Sequence, residues 1–127
     1  MKIDAKQTVL FAVYAEYMKD LPDMPSLTFE TLGMDWRVFN IAFLKLQNEG
    51  LIDGLNTVPP YTRMLPQAVI LDGVMPTRAG IDYVERKLEI DRMGANQEKL
   101  AQLKEKFGKL GWGVLQGVVI NILTKFF

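Results

Sequence analysis

Two close pairs of carboxylates, Asp20 with Asp23 and Asp82 with Glu85, are the residues here whose type and spacing could support acid–base chemistry. Acids at turns and helix surfaces more commonly serve as solvating groups, and nothing else in the chain completes a catalytic set. The sequence contains no His and no Cys. It therefore lacks the imidazole and thiolate ligands of ordinary zinc sites, and it cannot build Ser-His or Cys-His nucleophile pairs. Ser26 is the only serine, and neither GxGxxG nor GxxxxGK[ST] is present to cradle a phosphate. The expectation is a non-enzymatic protein with no catalytic residues, metal or cofactor and no evident small-molecule substrate.

A second kind of chemistry is recognition. Arg37, Asn40, Lys45 and Asn48 share one side of a helical stretch, and Tyr61 and Arg63 follow in a later loop. Arginine pairs with guanine and asparagine with adenine in the major groove, and lysine contacts phosphate, so these six are the candidate residues for double-stranded DNA. The competing reading is that they are solvated side chains. Ile41 and Leu44 interrupt the same face, which fits poorly against a phosphate-lined groove. Charge weighs the same way: residues 1–93 carry ten Lys or Arg against thirteen Asp or Glu, a net of −3, whereas residues 94–127 carry five against two, a net of +3. Nucleic-acid binders normally present a basic surface.

These residues need elements to hold them. Asp4 caps a first helix over residues 5–19, with Gln7 placed to complete a capping box. Its apolar positions, Val9, Leu10, Phe11, Val13, Tyr14, Tyr17 and Met18, wrap most of the circumference, so it requires cover on two sides. Pro22 and Pro25 break the chain. A short second helix is expected over residues 28–32, ended by Gly33, and Asp35 caps a third over residues 35–49, with Phe39, Ala42, Phe43 and Leu46 facing inward. Strands are expected at 51–55 and 68–74, separated by a loop containing Pro59, Pro60 and Pro66. Thr77 caps a fourth helix over residues 78–88 that carries Ile81, Val84 and Leu88. Helix, glycine turn, helix and hairpin form a winged-helix order.

The composition, 49% hydrophobic and 24% charged over 127 residues, suits one compact core with an appendage. The expected fold class is mainly α with a small β-hairpin wing (α+β): a winged-helix domain over residues 1–93, then a C-terminal helical extension over 94–127. Absence of cysteine and of a leader segment gives a cytoplasmic location as the default.

The run Phe39-Asn40-Ile41-Ala42-Phe43-Leu44-Lys45-Leu46-Gln47-Asn48-Glu49-Gly50-Leu51-Ile52, followed by Met75-Pro76-Thr77-Arg78-Ala79-Gly80-Ile81-Asp82-Tyr83-Val84, resembles the small YjcQ-like proteins of Gram-positive bacteria and their prophages. The likeness covers residues 5–90. It implies a winged-helix fold and a phage or prophage setting. DNA binding is the expectation that fold carries, and rests on analogy.

The tail supplies a different expectation. Trp112, Leu115, Val119, Ile122 and Phe126 belong to a segment apolar all round, and with Ile41 and Leu44 they are the candidate packing or dimer residues. The uncharged run 110–124 is fifteen residues, about 22 Å as a helix, too short for a hydrocarbon core of about 30 Å. Gly113 and Gly117 have the GxxxG spacing of close helix packing, read here as soluble packing rather than a membrane contact. Two functions thus stand: a DNA-binding regulator using the third helix and wing, or a protein-interaction module, a homodimer being the leaning, in which the tail occludes that helix.

Overall fold

A computed structural model describes residues 4–58 and 65–110. The expected first helix forms α1, Ala5–Tyr17, and its capping box is complete: Asp4 accepts from the Gln7 amide at 2.7 Å, and the Gln7 side chain accepts from the Asp4 amide at 3.0 Å. Every residue from Thr8 to Glu16 is buried, as a helix apolar all round requires. The other elements are built around it.

The expected second helix condenses to a single turn. Thr28 and Thr31 cap each other's ends of it, the Thr28 hydroxyl accepting the Thr31 amide and the Thr31 hydroxyl accepting the Thr28 amide, both at 3.1 Å. Gly33, at φ 67°, closes it at once: its amide bonds Glu30 O, and the Met34 amide bonds Phe29 O. With the N-cap and this Schellman closure only four residues apart, no regular helix fits between them. A 3-10 turn, Met24–Ser26, precedes it and was not foreseen.

The expected third helix is α2, Trp36–Asn48, capped by Asp35 and ended by Gly50 at φ 75°. Phe39, Ala42, Phe43 and Leu46 are buried against α1, as their spacing requires. The two expected strands come as two short antiparallel pairs: β1, Ile52–Asp53, with β4, Met75–Pro76, and β2, Asn56–Thr57, with β3, Val69–Ile70. The ladder breaks where Gly54, at φ 83°, meets the backbone of Gly73; a Cβ there would collide with the Gly73 carbonyl.

Helix α3, Arg78–Lys87, starts at Thr77 and lies so close to the end of α2 that a Cβ on Gly80 would strike the Leu51 carbonyl. Helix α4, Asn96–Leu110, follows a turn in which the Asp91 amide donates to the Gln102 side chain at 2.7 Å. Leu100 and Leu103 join the same apolar cluster as α1, α2 and α3, so the start of the C-terminal extension folds onto the rest of the chain. The arrangement is α+β, with four α-helices and two small antiparallel pairs among the described residues.

Candidate interaction surface

The outer side of α2 carries three of the six candidate recognition residues, Arg37, Lys45 and Asn48. Arg37 projects from its first turn, but its guanidinium closes on Asp35 through Nε at 3.0 Å and Nη2 at 2.9 Å. The same carboxylate caps the helix by accepting the Arg37 amide at 2.8 Å. The Arg37 guanidinium, with that backbone bond, holds the Asp35 carboxyl down to about 2. Lys6 from α1 reaches the other end of this face and pairs with both Glu49 oxygens at 2.8 Å, which raises its pKa. Lys45 and Asn48 are exposed, and Lys45 has no ion-pair partner among the described residues.

Asn40 behaves differently from its neighbours. A helical wheel sets it beside Arg37 on the outer side, yet it is 4% exposed. Its amide donates to the carbonyls of Pro66 at 3.2 Å and Gln67 at 3.3 Å, tying α2 to the segment that leads into β3. A group so engaged cannot also read a base edge. Tyr61, Arg63, Trp112, Leu115, Val119, Ile122 and Phe126 lie outside the described residues.

Two grooves flank this helix. One, of about 480 Å³, runs between the start of α1 and the outer face of α2; Ala5, Val38, Ile41 and Ala42 form its apolar floor, with Lys6, Asp35, Arg37 and Lys45 at the rim. Val38 is 44% exposed and Ile41 and Leu44 are half-buried, so the middle of the face is aliphatic. The other groove, of about 490 Å³, lies between the 25–30 segment, the first half of α2 and β3. Phe29, Trp36 and Phe39 line it, Phe29 and Phe39 meeting edge to face at 6.4 Å. This aromatic groove was missed in the sequence because its walls come from three separate segments.

Asp82 binds Arg92, and Asp20 and Asp23 are exposed. Glu85 is buried, accepting from the Tyr14 hydroxyl at 2.9 Å and pairing with Lys99 Nζ at 2.7 Å, and so fastens α4 to α1 and α3. Burial and this bond to Glu85 push the Tyr14 hydroxyl well above its usual pKa. Glu85 sits on the stripe of Ile81, Val84 and Leu88, and that phase was the available signal that it points inward. A second buried carboxylate, Glu16, accepts the Asp23 amide at 2.8 Å and stands 3.3 Å from Lys19 Nζ, holding down the loop after α1.

Among the described residues no three His, Cys, Asp or Glu side chains gather as metal ligands, and no helix is long and apolar enough to cross a membrane. Polar contacts tie α4 to α3 and the turn after it, among them Lys99 with Glu85, Lys106 with Glu89 and Gln102 with Asp91. Among the described residues, Val38 on the outer face of α2 is 44% exposed. No family model matches the chain, and no curated protein or solved structure matches it at a significant level.

Proposed function

We propose that the protein is a non-enzymatic winged-helix module that works by protein–protein contact, the outer face of α2 pairing with a second copy of the chain. The observation that carries this reading is how the polar groups of that face are used. Asn40 is turned inward, Arg37 is held by Asp35 and Lys6 by Glu49, which among the described residues leaves Lys45 as the unpaired cation of that face, beside an aliphatic centre of exposed Val38 and half-buried Ile41. A surface with so few free cations gains little from counterion release, the term that supplies most non-specific affinity for nucleic acid. Apolar side chains in its middle gain instead from being covered by a like surface.

A second reading remains, a phage or prophage DNA-binding regulator of the YjcQ-like kind. It is favoured by the order of elements: the capped turn at 28–33, α2 and the paired strands follow one another as helix-turn-helix and wing do.

Sedimentation velocity and a DNA titration separate the two. The module reading expects a dimer that Val38→Glu converts to monomer with its helical content unchanged. Random duplex DNA should bind no better than micromolar at physiological salt, within the non-specific range of roughly 10⁻⁴ to 10⁻⁶ M. Submicromolar binding that weakens steeply with salt and is lost in Arg37→Ala/Lys45→Ala would replace the module with the regulator.

A further inference from the structure

The aromatic groove on the other flank of α2 has an open strand edge for a wall. In the β2–β3 pair Thr57 faces Val69 and Asn56 faces Ile70, and the Val58 amide donates to the Ala68 carbonyl at 3.0 Å. Hydrogen-bonded and non-bonded pairs alternate along an antiparallel ladder, so Val69 belongs to a non-bonded pair, and its N–H and C=O point away from β2. Two residues back, the Gln67 carbonyl meets the Asn40 amide, which ties the chain entering β3 to α2. Val69 and the first half of α2 line the same groove. Val69 has no backbone partner on that side among the described residues.

An unpaired strand edge beside an apolar wall is the arrangement used for strand addition, in which main-chain bonds supply affinity and alternate side chains fill pockets. Phe29, Trp36 and Phe39 offer the apolar wall, and Ile70, 41% exposed, stands at its lip. The charges at the rim are all of one sign. Glu30 and Asp72 are exposed without an ion-pair partner among the described residues, and no Lys or Arg lines the groove.

We infer that this groove binds an extended segment of another protein that carries alternating apolar side chains flanked by lysine or arginine, added as a strand to the Val69 edge of β3. Asn40 has a part in this: by holding the 66–67 carbonyls it fixes where the edge begins and keeps it at a set distance from the helix. The inference is independent of what covers the outer face of α2, which lies on the other groove.

The test uses the full chain and two synthetic hexapeptides, KVTVTK and EVTVTE, followed by amide NMR and hydrogen exchange. KVTVTK should shift the Val69 and Leu71 amides and slow exchange at Val69, and the same peptide N-methylated at alternate residues should do neither. Glu30→Lys/Asp72→Lys, both at exposed positions, should weaken KVTVTK about tenfold and reverse the preference toward EVTVTE, since each exposed charge pair contributes up to about 1 kcal/mol. Absence of shifts at Val69 and Leu71 with KVTVTK up to about 1 mM, the weak end of measurable affinity, would overturn the inference. So would equal binding of the N-methylated peptide. A Val69 amide already protected in the free protein would also overturn it, assigning the edge to the chain's own tail where protection is independent of concentration and to a second copy where it is not.

Discussion

At the joint between the end of α2 and the start of α3, the polar groups find partners in distant backbone. The Thr77 hydroxyl donates to Gly50 O at 2.6 Å and accepts the Gly80 amide at 3.0 Å, while the Thr77 amide donates to Leu51 O at 3.1 Å. On the outer face of α2 the pairing is local or exposed: Arg37 holds Asp35 two residues away, and Lys45 stands free in solvent with Val38 beside it. The joint draws on two blocks of sequence, residues 39–52 and 75–84, whereas Asp35, Arg37 and Val38 lie outside them. The glycines and threonine of those blocks, Gly50, Thr77 and Gly80, are consumed by the joint. A motif can thus mark how a chain turns a corner and say nothing about what it binds, and the recognition residues have to be sought where side chains are left unspent.

Mutation can break this contrast, beginning beneath the joint. Leu46, which is buried and whose carbonyl receives the Leu51 amide, should cost about 2 to 5 kcal/mol when changed to Ala, read by denaturant melts. Gly80→Ala should follow at about 1 to 3 kcal/mol, because its Cβ meets a carbonyl that cannot move without opening the joint. Gly50→Ala serves as its control: the site has open space, so only the positive φ is penalised, at about 1 kcal/mol. A larger loss at Gly50 than at Gly80 would refute the close approach. Thr77→Ala removes a cap and its bond to Gly50, for about 1 kcal/mol of thermal stability.

On the outer face the same measurements should barely move. Val38→Ser and Lys45→Ala are expected within about 0.5 kcal/mol of the parent in stability, any larger effect appearing in self-association instead. The smallest effect sharpens the claim that Arg37 is spent. With its folded pKa held to about 2, below the usual carboxylate value, Asp35 contributes stability that is whole above the unfolded value near 4 and is lost as pH falls through about 2. Carboxyl NMR should place its midpoint there. A midpoint near 4 would mean that Arg37 swings free and is available for recognition.

How far the sequence could be read depends on how local each cause is. The starts of α1, α2 and α3 were legible because Asp4, Asp35 and Thr77 lie within three residues of the amides they cap. Gly33 and Gly50 marked helix ends for the same reason. The short helix at 28–32 was overestimated because Gly33 closes it within a turn of the Thr28 cap, which the sequence reading did not place. The breaks in the strands depend on Gly54 meeting Gly73, an encounter known only once the ladder's register is fixed. Asn40 was placed outside because its partners, the carbonyls of residues 66 and 67, lie beyond a loop whose course no periodicity reveals. Burial of Glu85 was legible in its phase and overlooked because acids on short helices usually face water.

The central position of α1 has a consequence for the chain as it is made. Tyr14 leaves the ribosome well before its partner Glu85, 71 residues downstream, and Leu103, which joins the same core, follows later still. At roughly 5 to 20 residues per second, an N-terminal helix that ends up buried on every side waits on the order of 5 to 20 seconds for its cover. During that interval the emerging polypeptide displays the apolar surface of α1, so the demand for chaperone occupancy falls on that helix and lasts until α4 emerges to cover it.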